Sequence, residues 1–396
     1  MTAIDTSRRR FLKRAGACAA VSCSALPGVL RVWAAQTAEK LKSDTPPAAL
    51  IADLQKFIPA LMQQMRVPGL ALAVIRDAKV LWAQGFGVTN VQAPQPVTPD
   101  TPFEAASLSI PVFAYAVLKL CEQGKLGLDA PLWNYRPNYF LPDDPDARLI
   151  TARMILAHTS GLRARPEDKS LKLASKPGAQ WFYSTLGVGY LQRIVEHVTG
   201  QPLEEFMQTS LLQPFGLRGS SYAWNDTYEK TAAKGHDQEG RRGPGKNFYE
   251  RYRGFSPEQK TRILTIQPED AAPAAGYSLT TTATDYARFL IELIRPAQQD
   301  KQHLSAAMLA EMLKPQVKVT PAISWGLGWG LAQTADGDSF WHWGNASTLQ
   351  HFAVGYRRQA VGLVVLTNSG NGLKLCRELT PRALGGEYPG FALLLG

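Results

Sequence analysis

The chain has 396 residues, 45% of them hydrophobic, and a formal net charge of +10, enough length for a large buried core and for more than one domain. Six basic side chains and one acidic one fall in residues 1–35, so the remainder carries only +5. That excess is small and scattered, with no dense Lys/Arg stripe among aromatics, which excludes a nucleic-acid-binding footprint.

The first stretch reads as an address. Ser7-Arg8-Arg9-Arg10-Phe11-Leu12-Lys13 precedes a moderately apolar segment that reaches the small-residue site Val32-Trp33-Ala34-Ala35. A basic flank, an apolar middle and a small-residue end in that order predict a twin-arginine export signal over 1–35. The competing reading is a lipoprotein signal that leaves Cys23 as the lipid-bearing terminus. Pro27 and the small residues argue against a permanent membrane span. Residues 36–47, ending in Pro46-Pro47, read as a linker.

From Ala48 to Met65 apolar residues recur at helical spacing, as Leu50, Leu54, Ile58, Leu61 and Met65 show. Leu70 to Ile75 and Val80 to Gly87 follow as two strand-like runs joined by a polar turn at Arg76–Lys79, which predicts a hairpin. Phe103 to Ile110 then leads into the apolar run Val112–Leu120, which closes at Gly124-Lys125-Leu126-Gly127-Leu128-Asp129. Ser107 is placed at the mouth of that buried helix, where backbone N–H groups and the positive end of the dipole favour an oxyanion. Alone, Ser107 reads first as a plain helix N-cap, and only the further motifs reverse that preference.

Further on stand Leu156-Ala157-His158-Thr159-Ser160-Gly161-Leu162, then Tyr183-Ser184-Thr185 before a helix. Residues 225–262 are polar and basic, and read as a solvated loop or as a lid carrying aromatic and cationic contacts. A Ser/Thr-rich strand around 278–282 leads to a helix over Tyr286–Ile294 capped at Thr284 or Asp285. Last come His342-Trp343-Gly344-Asn345, strands at 351–356 and 361–366, and a closing helix around 373–384. Cys121 and Cys376 follow the leader, and Cys121, on the buried helix, reads as a core thiol.

In order and separation these segments resemble the motifs of the serine β-lactamase and penicillin-binding-protein superfamily over residues 48–385. Ser107-Leu108-Ser109-Ile110 corresponds to Ser-x-x-Lys, Tyr183-Ser184-Thr185 to Tyr-x-Asn, and His342-Trp343-Gly344 to Lys-Thr-Gly or His-x-Gly. The resemblance implies an α/β (α+β) fold. An antiparallel sheet from 48–105 and 274–385 would be flanked by N- and C-terminal helices. A mostly helical insert would cover 106–273 and a tail 386–396. It implies Ser107 and Tyr183 as catalytic residues, with Thr185, His342, Gly344 and Asn345 lining the substrate and oxyanion site. The Asn345 N–H would join that of Ser107. His158 takes a structural role.

One position departs from the pattern: Ile110 stands where the lysine belongs. A serine hydroxyl is a poor nucleophile until its proton is removed, and isoleucine has neither lone pair nor charge. The implied function is an exported serine hydrolase acting on a small ester, amide or peptide without a cofactor. The substitution opens an alternative, a non-catalytic protein that binds peptidoglycan-derived or other peptides in the same pocket. A metal-dependent hydrolase is disfavoured because the six histidines form no His-x-x-x-His pair. A lipase-type enzyme is disfavoured because no Gly-x-Ser-x-Gly elbow is present.

Overall fold

The structure is a computed structural model and describes residues 41, 44–137, 139, 141, 143–163, 172–243, 274–296 and 302–395. The expected leader and most of the linker lie outside these residues, as does the 244–262 part of the basic loop.

Helix α1, Pro47–Met65, begins at a proline, whose missing N–H costs nothing in a first turn, and ends at Arg66 with φ 54°. Its stripe Leu50, Leu54, Ile58, Leu61 and Met62 is buried, the inward face that helical spacing dictates. Strands β1 (Gly69–Arg76) and β2 (Lys79–Gly87) form the expected hairpin. Its turn at Asp77 and Ala78 has φ 54° at both residues, the positive-φ pair of the tight hairpin turn that matches the right-handed twist of the strands.

After β3 (Phe103–Glu104) and a 3-10 turn at Ala106–Leu108 comes helix α2, Ser109–Glu122. It is followed by α3 (Ala152–Leu156), α4 (Thr185–Thr199), α5 (Leu203–Met207) and α6 (Asp226–Thr231). The chain returns through β4 (Thr280–Thr281), which pairs with β3. Helices α7 (Ala283–Ile294) and α8 (Ala306–Met312) follow, then β5 (Val317–Lys318), β6 (Ile323–Trp325) and β7 (Gly330–Thr334). Strands β8 (Gly337–Asn345), β9 (Gln350–Tyr356) and β10 (Val361–Thr367) precede helices α9 (Gly372–Leu384) and α10 (Gly390–Leu395).

The main sheet runs β2-β1-β10-β9-β8-β7-β6-β5 and its pairings are antiparallel. Alternate residues feed two cores. Ala71, Ala73, Val364 and Leu366 face one with α2 and α7, while Leu70, Leu72, Leu363 and Val365 face another with α1 and α9. Burial on both faces explains why β1 and β10 read as continuous apolar runs.

Two expectations are corrected. The cap of α7 is Thr282, whose hydroxyl accepts from Asp285 N–H at 3.0 Å, because β4 ends at Thr281 and the helix begins at Ala283. Cys121 is only half-buried, since the last turn of α2 reaches the surface, whereas Cys376 is buried; both are free thiols.

Candidate active site

Ser107 stands two residues before the first residue of α2, within the 3-10 turn, and the residue at the N-cap is Leu108 with no side-chain cap. The serine is therefore not spent as a cap. The turn is held from several sides. Ala105 N–H donates to Leu279 O at 2.7 Å. Ser109 Oγ donates to Ala106 O at 2.6 Å and accepts from Leu279 N–H at 3.0 Å. The hydroxyls of Tyr222 and Tyr286 donate to Ser109 O and Leu108 O at 2.7 and 3.1 Å. His351 Nε2–H donates to Glu104 O at 2.9 Å while its Nδ1 accepts from Thr367 N–H, tying the turn to the sheet. So held, Ala106 keeps φ at +50°, a conformation that costs an L-residue about 1–2 kcal/mol and that the surrounding bonds over-determine.

Tyr183 directly precedes the cap of α4, where Ser184 Oγ accepts from Gly187 N–H at 3.1 Å. Its segment is pinned by His158, whose carbonyl accepts from Phe182 N–H at 2.8 Å and whose Nδ1 accepts from Ser184 N–H at 3.2 Å. His158 itself has φ 57°, so the structural role expected of it has a geometry: a left-handed corner that aims Tyr183 inward. The Tyr183 hydroxyl is buried without a hydrogen-bond partner. Burial pushes its pKa well up, and the Ser107 hydroxyl, the one side chain pulling the other way, marks the two as neighbours. Ile110, one turn beyond Ser107, is wholly buried and supplies no counter-charge.

His342 lies on β8, on the same face as Phe340 and Gly344 by strand alternation. Its Nδ1–H donates to Trp343 O at 2.8 Å. Burial pushes the pKa of His342 and of His158 down to about 3, with the neighbouring His342 charge a further depressing influence on His158. Both imidazoles are neutral. Around them Trp325 packs against Tyr183, His158 and His342 at ring-centre distances of 6.1, 5.3 and 5.6 Å. Half-buried Trp343 lies 4.8 Å from the Tyr183 ring, and half-buried Trp181 packs on Trp325.

Gly344 comes against the turn that carries Ser107. A Cβ there would stand 2.2 Å from Ala105 O, so only glycine lets β8 approach so closely. Strand β7 pairs with β8 only from Gly337 to Trp341, which leaves His342 to Asn345 without a strand on that side among the described residues. Asn345 is exposed and turns its side chain to Ser347 N–H at 2.9 Å, so any oxyanion contact from it is a backbone one. Thr185 is the first residue of α4, with its Cβ beside Gly276.

The structure thus brings Ser107, Tyr183, His342 and Gly344 together, with Thr185 two residues past Tyr183 at the start of α4. Sequence reasoning missed the ring cluster centred on Trp325 and the left-handed backbone at Ala106 and His158. The tryptophan density of the last third was the available signal for the first; no residue type signalled the second.

A family model described as Beta-lactamase matches residues 54–384. Esterase EstB of Burkholderia gladioli is 30% identical over 221 residues, covering 48% of this chain and 56% of that protein. The chain spans between 40% and 56% of the length of the curated relatives it matches. Among solved structures, D-alanine carboxypeptidase AmpC of Burkholderia cenocepacia superposes with a TM-score of 0.70 at 17% identity, covering 85% of this chain and 99% of that one. EstCE1, a hydrolase with promiscuous acyltransferase activity, does so with 0.68 at 21%, covering 85% and 98%. At these identities the structures show the fold.

Proposed function

The chain belongs to the β-lactamase family, and on that premise we propose that it is an exported serine hydrolase that forms an acyl-enzyme on Ser107 from an uncharged ester. The observation that carries the reading is the pairing of Ser107 with Tyr183. One hydroxyl caps nothing, the other is buried with no partner, and the strand beside them is brought close by Gly344. The likeness to an esterase supports the ester bond. The lack of a charge on the substrate follows from His342. In the Lys-Thr-Gly form of this motif the position is cationic, whereas here it is a neutral imidazole. The half-buried rings of Trp181, Tyr183 and Trp343 suit an apolar acyl or alcohol group.

Turnover is slow in this reading. The lysine-to-isoleucine exchange removes a general-base contribution of about 10²–10⁴ in rate, while the oxyanion donors and substrate placement survive it. Export follows from the arginine-rich start of the chain.

One experiment tests both halves. The full chain is expressed in a host with twin-arginine export, and each cell fraction is treated with a fluorophosphonate probe. The expected result is a labelled, shortened protein in the periplasm, lost in Ser107→Ala and retained in the cytoplasm by Arg9→Lys with Arg10→Lys. Ile110→Lys should label, and hydrolyse 4-nitrophenyl acetate, at least about tenfold faster. Labelling that survives Ser107→Ala would end the acyl-enzyme reading. No gain from Ile110→Lys would show that the missing amine does not limit the site.

A further inference from the structure

If Ser107 is acylated, its proton must go somewhere, and Ile110 cannot take it. At Tyr183 and the two histidines packed on it, three buried polar atoms make no hydrogen bond: Tyr183 Oη, His158 Nε2 and His342 Nε2. Buried polar groups are almost always paired, so each calls for an explanation. The backbone fixes what each imidazole offers. His158 Nδ1 accepts from Ser184 N–H, so in the neutral ring the hydrogen sits on Nε2 and that atom is a donor. His342 Nδ1 faces the Trp343 carbonyl, so it carries the hydrogen and Nε2 keeps its lone pair. The unpaired indole nitrogens of Trp181, Trp325, Trp329 and Trp341 are donors only. Among the buried ring nitrogens of the described residues that lack a partner, His342 Nε2 is the acceptor.

We propose that His342 Nε2 is the proton acceptor behind Tyr183, with His158 Nε2–H donating to the same phenol oxygen, so that a His–Tyr–His relay stands in for the absent lysine. Both imidazoles pack on the Tyr183 ring, with centres 4.5 Å from it for His158 and 6.1 Å for His342. Such bonds are commonly long before substrate binds and tighten in the complex.

The inference rests on the acyl-enzyme reading of Ser107, and its step balances without a co-reactant. As Ser107 Oγ bonds to the ester carbonyl carbon, its proton passes to Tyr183 Oη and the phenol proton passes to His342 Nε2. The negative charge moves to the carbonyl oxygen. When the carbon–alkoxide bond breaks, the proton held by Tyr183 Oη passes to the departing alcohol and the one on His342 Nε2 returns to the phenol oxygen. Deacylation repeats the sequence with water as the nucleophile. Burial makes His342 a weak base, so the relay is slower than a lysine would be, consistent with a gain on restoring the amine.

The test is an interaction between two substitutions. Glutamine at 342 keeps hydrogen-bonding capacity but takes up no proton. His342→Gln should lower the rate of ester acylation at least about 100-fold in the natural background. In the Ile110→Lys background, where lysine serves, the same change should cost less than about tenfold, because groups that act as a unit are non-additive. An equal loss in both backgrounds would make His342 merely structural, and no loss in the natural background would remove it from the path. A wild type that neither labels at Ser107 nor loses ester hydrolysis on Ser107→Ala would instead refute the acyl-enzyme reading itself. Should His342→Gln fail to fold, the ¹⁵N spectrum of histidine-labelled wild type decides. His342 must carry its hydrogen on Nδ1 with an acceptor-type Nε2, and the opposite tautomer overturns the relay.

Discussion

Ser109 carries a hydroxyl two residues past the nucleophile, and its chemistry is committed to the backbone. It donates to Ala106 O and accepts from Leu279 N–H with no exposure to solvent. Ser109→Ala leaves the buried Leu279 N–H without its acceptor. It should cost about 1–3 kcal/mol of stability, read as a lower urea midpoint at unchanged slope, and should loosen the corner that holds Ala106 at positive φ. A variant as stable as the wild type would show that this bond does not secure the turn. At this scale the sequence singles out the candidates. Ser107, Tyr183 and the intruding Ile110 are legible because each lies in a short pattern with a fixed partner spacing. The states of His158 and His342 are not, since their tautomers are set by the N–H of residue 184 and the carbonyl of residue 343, and these reach the rings only through the folded backbone.

Among the elements, β8 does the positioning, and Gly344 is where it does so. An alanine Cβ there would meet Ala105 O at 2.2 Å and the His351 ring at 2.8 Å. The first neighbour is backbone and the second is bonded on both nitrogens, so neither can swing aside and the strand must move off the turn. Gly344→Ala should lower stability by about 1–3 kcal/mol, as overpacking does, and lower acylation of Ser107 by more than its effect on folding explains. Full labelling at wild-type rate would mean that close approach of the strand is dispensable. The elements themselves were largely readable: α1, the β1–β2 hairpin and α9 begin and end within a residue or two of what periodicity and turn chemistry predict. The α7 cap was not. Thr280, Thr281, Thr282 and Thr284 all offer hydroxyls, and only the pairing of β3 with β4, which ends at Thr281, selects Thr282. The open flank of β8 was equally hidden, because it depends on where β7 stops.

The molecule as a whole buries its sheet on both faces, and that architecture traps histidines in their neutral form. His158 and His342 are pushed down to about 3 and His351 to about 4, in each case chiefly by burial, and burial lowers His236 as well. An unfolded histidine protonates near pH 6.5. Between that pH and the depressed values the unfolded chain therefore binds more protons than the folded one, and stability falls as pH falls. Asp285 has the opposite sign: burial raises its pKa, so its folded form gains relative stability toward acid. It is one group against four. Each histidine removes about 1.4 kcal/mol per pH unit across its window, and a domain has only about 5–15 kcal/mol in total. Acid should therefore weaken the fold progressively from about pH 6.5 downward, before the ion pairs of Arg153 with Asp129 and Glu311, whose carboxyls are held low, are lost. Urea midpoints measured from pH 7.5 to 4.5 should decline steadily. A flat profile over that range would mean that these imidazoles are not trapped neutral inside the fold, and the tautomers on which the relay depends would lose their footing with it.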